Sequence, residues 1–234
     1  MNLFYTPDIS GARYTLNEDE SHHCHKVLRL GDGDIVHMID GKGGLYTGRI
    51  LESHAKRTTI LIIDKDEGWG KRDYTLHIAI APTKNIERFE WFLEKATEIG
   101  IDEITPLICD RSERKEVKKE RLTKVITSAV KQSLKAYHPQ LNEVVKFKNF
   151  VKDVKGQKFI AHCMDTEKQS LKQILELRGN YTILIGPEGD FSPSELSVAE
   201  ALGFRPVSLG TSRLRTETAA LEACFEVNFL NREE

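Results

Sequence analysis

The sequence has no apolar run long enough to cross a membrane. Nothing approaches the ~18 consecutive apolar residues that a membrane-spanning helix needs, and residues 1–8 show neither the basic start nor the apolar core of a secretory signal. Cysteine is scarce: the four residues are far apart and form no CxxC pair, which argues against a disulfide framework. We therefore expect a globular cytoplasmic protein.

A global excess of positive charge is also missing. The 34 Lys and Arg are outnumbered by 36 Asp and Glu, for a net charge of −2, so the total does not indicate a nucleic-acid-binding protein. One segment departs from this balance: Arg111–Lys135 carries nine Lys and Arg against three Glu. Such a run is usually a solvated surface, and the alternative is a patch that contacts RNA or DNA phosphates.

Several catalytic and ligand-binding signatures are absent. The chain has neither a G-x-S-x-G elbow nor an H-E-x-x-H pair, and no turn spells G-x-G-x-x-G. Gly41-Lys42-Gly43-Gly44 lacks the Ser or Thr that follows Lys in a phosphate-binding loop, so it is predicted to be a hairpin turn. His22-His23-Cys24-His25 suggests zinc, but tetrahedral sites usually take spaced pairs from two segments, and no metal is expected.

The composition changes near residue 70, which predicts two domains, residues 1–70 and residues 71–234. At 39% hydrophobic content a chain of 234 residues can bury a sizeable core. The first part has short apolar runs typical of strands, which favour a small β-barrel or sandwich. Asn17 is predicted to cap a short helix, with His22, His25 and Arg29 near one of its faces.

From residue 75 onward strands alternate with helices, which predicts an α/β domain with a mostly parallel sheet. The strand predictions include Leu76–Ala81, a continuous apolar run that is expected to be covered on both faces, and Lys158–Met164.

Two glycine turns near the carboxyl terminus each follow an apolar strand and precede a helix. Thr182–Ile185 leads into Gly186-Pro187-Glu188-Gly189, and Pro206–Leu209 leads into the polar run from Gly210 to Glu217. If the two strands are neighbours, both turns lie at the edge of the sheet where α/β proteins bind ligands. The simpler interpretation is that they are ordinary α/β loops.

The residues of these turns carry a resemblance to a known family. Ile185 to Ser192, with Glu195, resembles the I-G-P-E-G-G-F-S-x-x-E motif of the ribosomal RNA small subunit methyltransferase E family, and Leu209–Ala219 resembles its L-G-x-x-I-L-R-x-E-T-A motif. Lys95–Gly100 and His25–Gly31 also resemble family motifs. Asp190 stands where the motif has glycine, Arg213 where it has an aliphatic residue, and Lys135 where the family more often has Arg.

This resemblance implies a SPOUT, or α/β-knot, methyltransferase. The first domain would be a PUA-like β-barrel that helps to hold RNA, and the second would be an α/β domain threaded into a trefoil knot. The family binds S-adenosylmethionine in a bent shape, acts as a homodimer, and methylates N3 of a uridine in 16S ribosomal RNA within the assembled small subunit.

The resemblance also implies site residues. Backbone groups of the two turns would recognise the cofactor through Leu184, Ile185, Gly186, Pro187, Glu188, Gly189, Leu209, Gly210, Leu214, Arg215, Thr216, Thr218 and Ala219. Candidate RNA contacts are His25, Arg29, Lys84, Lys95, Arg111, Ser112, Gln132, Ser133 and Lys135. For Lys95, pairing with Glu98 within a helix is the alternative.

Two residues are expected to be catalytic. Arg215 would hold the target nucleotide or stabilise the developing imide anion, unless it contacts a phosphate or pairs with Glu217. Glu217 would be a general base, unless it serves the helix dipole. The rival functions are a SPOUT methyltransferase acting on another RNA and an RNA-binding assembly factor that has lost catalysis.

Overall fold

The computed structural model describes residues 1–232, which fall into two compact units. The first unit comprises Met1–Lys71 together with Val130–His138, and the second comprises Arg72–Ala129 and the chain from Pro139 onward. The predicted range 1–70 therefore omits a later segment of the first unit. The last two residues of the predicted range 71–234 lie outside the described residues. Among residues 1–232, no helix has the length and apolar character needed to cross a membrane.

A five-stranded sheet forms most of the first unit, which confirms its β-rich prediction. The strands lie in the order β1–β3–β4–β5–β2, with β1 and β3 parallel and the other neighbours antiparallel. Their bounds are β1 (Leu3–Tyr5), β2 (Arg13–Thr15), β3 (Ile35–Ile39), β4 (Gly44–Glu52) and β5 (Thr59–Glu67). The glycine turn after residue 40 joins the antiparallel strands β3 and β4, as predicted for a hairpin.

The helix of the first unit begins as predicted but continues differently. Helix α1 (Glu18–His22) follows Asn17, whose side chain accepts a hydrogen bond from the N–H of Glu20 at 2.8 Å. A π-helical turn, His23–Val27, comes next, and Arg29 beyond it has a φ of 56°. The expectation that His22, His25 and Arg29 share one face is wrong, because the π-turn changes the residue spacing and Arg29 is outside the helix.

An eight-stranded sheet forms the centre of the second unit, and all of its strand pairs are parallel, as predicted. Seven strands follow the order β11–β13–β10–β12–β6–β7–β8, and β9 also pairs with β7. The bounds are β6 (Thr75–Ile80), β7 (Glu103–Ile108), β8 (Gln140–Leu141), β9 (Val145–Lys146), β10 (Gln157–Ala161), β11 (Gln169–Ser170), β12 (Asn180–Ile185) and β13 (Arg205–Ser208).

Helices cover this sheet because its strands are apolar on both faces. Their bounds are α2 (Ile86–Ile99), α3 (Lys119–Gln132), α4 (Phe147–Phe150), α5 (Leu171–Ile174), α6 (Pro193–Ala201) and α7 (Thr216–Leu230). Helix α6 starts with the predicted capping box: Ser192 accepts from the N–H of Glu195, and Glu195 accepts from the N–H of Ser192. Helix α7 packs against α2.

The two glycine turns do not follow neighbouring strands, and that expectation is wrong. Strand β10 lies between β12 and β13, and its Ala161 pairs with Ile185 on one side and Val207 on the other. The turns therefore start at the same level of one edge, two strand spacings or roughly 10 Å apart. The predicted strand Lys158–Met164 also ends early, at Ala161.

Candidate functional site

The candidate site lies along the carboxyl edge of the parallel sheet. Because the strands of the second unit are parallel, the loops that follow β6, β7, β10, β12 and β13 all leave from this edge. Both glycine turns are among them. The edge is therefore where the sequence-derived site residues of the second unit can meet a ligand.

The first glycine turn is hydrogen-bonded to three of its neighbouring loops. A side-chain oxygen of Glu188 accepts from the N–H of Lys84, after β6, at 2.9 Å. Arg111, after β7, donates from Nη1 to the carbonyl of Gly189 at 2.8 Å. The Oδ2 atom of Asp190 accepts from the N–H of Cys163, after β10, at 2.9 Å. The turn thus connects the loops on both sides of β12.

Buried polar contacts fix the end of this turn. Glu195, which is 2% exposed, accepts from the N–H of Asp110 and from the N–H of Ser192, each at 2.9 Å. The hydroxyl of Ser192 donates to Asp110 at 2.7 Å. A Cβ at Gly186 would lie 3.1 Å from the ring of Phe191, so a larger residue there would press on this ring. The sequence therefore specifies a rigid turn.

The second glycine turn is open by comparison. Gly210 has a φ of 108°, and a Cβ there would have no atom within 4 Å. Within residues 1–232, the backbone N–H groups of Gly210, Leu214 and Gly189 donate no hydrogen bond. Unused backbone donors on a glycine turn suit a ligand that is recognised through the main chain, which is the chemistry that the resemblance implies for the cofactor.

An open cavity of about 580 Å³ lies between the second turn and the start of α2, within the size range of small-molecule sites. Four predicted site residues are on its wall: Leu214, Arg215, Glu217 and Thr218. The wall also contains five residues that the sequence analysis missed: Asn85, Glu87, Arg88, Trp91 and Arg213. Their position in the chain could have indicated them, because Asn85 caps α2 at the end of the loop that follows β6.

Charge is unevenly distributed around this cavity. The carboxylate of Glu217 is buried and lies 3.8 Å from Nε of Arg88. The alternative in which Glu217 pairs with Arg215 is therefore wrong, since the partner comes from α2. Among the described residues, Arg213 and Arg215 make no ion pair, and both side chains are exposed. Two guanidinium groups remain available to an anionic ligand.

The other predicted cofactor residues are not on the cavity wall. Leu184 and Ile185 are buried in β12, so only their main chain can reach a ligand. Pro187 is also buried, while Glu188 and Gly189 are exposed on the first turn. For these five residues, contact with a cofactor stays a prediction. The same holds for Gly186, Leu209, Gly210, Thr216 and Ala219.

Several predicted RNA contacts have protein partners in the second unit. Lys95 pairs with Glu94 and Glu98, at 2.7 and 2.9 Å, in line with the alternative interpretation. Lys84 pairs with Glu113 at 2.8 Å. Ser112 is buried, and its hydroxyl accepts from the N–H of Cys109.

The remaining predicted RNA contacts lie in the first unit. His25 shares a hydrogen bond of 3.0 Å with Ser53, and Arg29 and Gln132 are exposed. Ser133 and Lys135 also have interactions within the protein. As RNA contacts, all of these residues stay predictions.

The basic run Arg111–Lys135 is partly neutralised. Lys119 pairs with Glu143, Arg121 with Glu90 and Lys131 with Glu20. In the described part of the chain, exposed Lys115, Lys118 and Lys124 form no such pair. These three lysines are therefore available to phosphates. Residues 1–232 contain no group of three His, Cys, Asp or Glu placed to hold a metal ion.

Comparison with known proteins gives consistent matches over the chain. Residues 71–227 match a family described as the RNA methyltransferase domain, and residues 16–64 match the RNA methyltransferase PUA domain. A ribosomal RNA small subunit methyltransferase E from Synechocystis sp. is 31% identical over 95% of this chain and 75% of that protein.

Solved structures agree with these matches. A probable rRNA-methyltransferase from Porphyromonas gingivalis is 39% identical with a TM-score of 0.93, covering 99% of this chain and 98% of that one. A ribosomal RNA small subunit methyltransferase E from Neisseria gonorrhoeae, bound to S-adenosyl methionine, is 25% identical with a TM-score of 0.90 and the same coverage. The predicted PUA-like and SPOUT-type α/β fold is confirmed.

Proposed function

We propose, from the premise that this chain belongs to the ribosomal RNA small subunit methyltransferase E family of RNA methyltransferases, that it methylates N3 of a uridine in 16S ribosomal RNA. The coarser activity follows from the family: the protein is an S-adenosylmethionine-dependent methyltransferase of ribosomal RNA. The uridine, its N3 atom and the assembled small subunit as substrate are the parts we propose.

The cavity between the second glycine turn and α2 carries this proposal. Its size suits a nucleotide, and it lies on the same edge as the unused backbone donors of Gly189, Gly210 and Leu214. We assign the cofactor to those backbone groups and the target uracil to the cavity. When bound, S-adenosylmethionine supplies a methyl group whose bond to sulfur breaks as the bond to N3 forms, which leaves a neutral thioether.

Arg215 and Glu217 are the residues that we assign to the chemistry. N3 of uracil must lose its proton, and the negative charge that develops on the imide is stabilised by a nearby fixed cation. Arg215 is exposed on the cavity wall and has no ion pair among the described residues, so its guanidinium is available for this role. Glu217, on the same wall and beside Arg88, receives the N3 proton.

The first unit is assigned to RNA binding, as the match to a PUA domain supports. Residues 1–70 would be the RNA-binding domain and residues 71–234 the methyltransferase domain. The proposed contacts of the first unit are His25, Arg29, Gln132, Ser133 and Lys135, and those of the second unit are Lys84, Lys95, Arg111 and Ser112. A substrate in the small ribosomal subunit places the protein in the cytoplasm as part of the same proposal.

We also propose a homodimer with a knotted second domain, as the resemblance implies. Helix α7 leaves Phe225 and Phe229 exposed, with ring centroids 5.9 Å apart, and Trp91 on the adjoining α2 is 43% exposed. Exposed aromatic patches of this kind are typical of interaction surfaces. Replacing both phenylalanines with glutamate should shift the sedimentation coefficient to that of a monomer.

The proposal is tested by mapping modified nucleosides in small-subunit RNA from cells that lack this protein. A methyl group on N3 blocks Watson–Crick pairing, so reverse transcription stops at the modified uridine in parent cells. The stop should vanish in the deletion strain and return when the parent gene is restored, but not when a catalytically impaired variant is supplied. Persistence of every modified nucleoside in the deletion strain would refute the proposed substrate.

A further inference from the structure

Asp190 has an unusual backbone conformation at the first glycine turn. Its φ is 64°, in the left-handed region that glycine occupies without strain and that Asp and Asn tolerate better than most residues. Glycine, which the family motif has at this position, would avoid the strain. A strained residue at the edge of a binding site is a reason to ask what its side chain does.

The carboxylate of Asp190 joins two segments of the sheet edge. Its Oδ1 accepts from the N–H of Phe191 at 2.8 Å, within the first turn. Its Oδ2 accepts from the N–H of Cys163 at 2.9 Å, in the loop that follows β10. Hydrogen bonds to an ionised acceptor are stronger than those between neutral groups. Glycine can make neither bond.

The loop that Asp190 holds, residues 162–168, occupies a central position. It leaves the end of β10, the strand that lies between the strands of the two glycine turns. Lys168 braces the loop internally by donating to the carbonyls of His162 and Met164, at 3.0 and 2.7 Å. In the described part of the chain the ring of His162 forms no hydrogen bond. Among the described residues, the hydrogen bond from Cys163 to Asp190 is the one that connects this loop to the first turn.

We propose that Asp190 is a positioning residue for the methyl donor. Its carboxylate fixes the 162–168 loop against the first glycine turn, so that both are in place before the cofactor binds. A site whose walls are already ordered loses less conformational entropy on binding and therefore binds more tightly. This inference rests on the proposed function for the identity of the ligand, but the hydrogen bond itself can be tested without it.

The test compares the parent with Asp190→Gly and Asp190→Asn. Glycine removes both acceptors and relieves the strained φ, so the fold should be kept with an equal or higher melting temperature. Cofactor affinity should fall by about tenfold, the effect of losing the charge-assisted hydrogen bond that holds the 162–168 loop. Asparagine keeps one acceptor and should give a smaller loss. Asp165→Asn, an exposed residue of the same loop, is the control with the same charge change.

Two measurements separate positioning from general stability. Isothermal titration calorimetry with S-adenosylmethionine gives the affinity, and amide hydrogen exchange of the 162–168 loop without ligand reports the Cys163 bond. Exchange should be faster in both Asp190 variants and unchanged in the control. In turnover assays the KM for the cofactor should rise while the KM for RNA stays constant.

The outcomes distinguish this inference from the proposed function. If the parent binds the cofactor and Asp190→Gly binds it within twofold as tightly, the positioning role is refuted. Unchanged amide exchange in the variants would also refute it. A parent that shows no cofactor binding at millimolar concentration would instead overturn the proposed function, while the exchange measurement would still test the loop contact. If Asp190→Gly does not fold, Asp190→Asn decides by the same criteria.

Discussion

Arg215 stands at the junction between the second glycine turn and helix α7, where its backbone is still extended. This places a guanidinium on the cavity wall, with Arg213 two residues before it. Sequence motifs identified Arg215 and left a pairing with Glu217 as an alternative to its catalytic role, whereas the structure supplies Arg88 as the partner of that carboxylate. A pairing between α2 and α7 is non-local, and local spacing cannot reveal it.

Replacing Arg215 with alanine should lower kcat by about 100-fold, the usual effect of removing one group that stabilises a developing anion. The affinity for S-adenosylmethionine should change by less than about threefold, because cofactor recognition is assigned to backbone groups. Calorimetry and steady-state kinetics measure the two effects. Arg205→Ala, on β13, is the control and should retain parent kinetics. Equal losses in affinity and kcat would move Arg215 into the cofactor site.

Leu134 is a second residue with a left-handed backbone, at φ 55°, just past the end of α3. Its side chain is 44% exposed, so packing offsets little of the strain. Leu134→Gly should raise the free energy of unfolding by roughly 0.5–1 kcal/mol, measured by urea denaturation, because the backbone strain that glycine relieves, about 1–3 kcal/mol, exceeds the conformational entropy that glycine adds to the unfolded chain.

A matched control for this prediction is Leu202→Gly. Leu202 also follows a helix and is 37% exposed, but its φ is −91°, so glycine should destabilise the protein there. A stabilising effect at Leu202, or none at Leu134, would show that backbone strain is not the cause.

At the scale of elements, the sequence predicted correctly those features that depend on residues close together in the chain. The capping box of α6, the Asn17 cap and the strand–turn–helix order were all predictable, because each depends on residues a few positions apart. The adjacency of β12 and β13 was predicted incorrectly, because strand order depends on long-range pairing. The hydrogen bond that holds Cys163, just after β10, comes from Asp190, which is 27 residues further along the chain.

The structure shows which lysines of the basic segment Arg111–Lys135 can contact phosphates. Lys115, Lys118 and Lys124 are the exposed lysines without ion pairs in the described chain. Changing all three to glutamate should weaken RNA binding and reduce the slope of log affinity against log salt by roughly two. The reason is that RNA binding releases fewer counterions when three phosphate contacts are lost. Fluorescence anisotropy across a salt series measures both.

The control for this prediction makes the same charge change elsewhere. Lys152, Lys155 and Lys172 are exposed lysines of the second unit, and their replacement by glutamate should leave the salt slope unaltered. If both triple variants lose affinity equally, net charge rather than the basic segment governs RNA binding.

At the scale of the whole molecule, three histidines link stability to pH. Burial lowers the pKa of His37, His77 and His162; for His77 the opposing charge of Glu103 only partly offsets this. The unfolded chain takes up these protons near pH 6.5, before the folded protein does. Stability should therefore be highest above that pH and fall as the pH drops below it.

Urea midpoints measured between pH 7.5 and pH 5 test this prediction. The midpoint should fall with acidification, and His162→Phe should reduce the fall, because it removes a buried group that resists protonation. A midpoint that stays constant down to pH 5 would contradict the burial argument.

The most direct measurement of the central claim is in vitro methylation of small ribosomal subunits taken from cells that lack this protein. The subunits are incubated with the purified protein and isotope-labelled S-adenosylmethionine, and the digested RNA is analysed by mass spectrometry. We predict one labelled nucleoside, 3-methyluridine, which disappears with Arg215→Ala. Label on a ribose or on another base, or no label at all, would contradict the account.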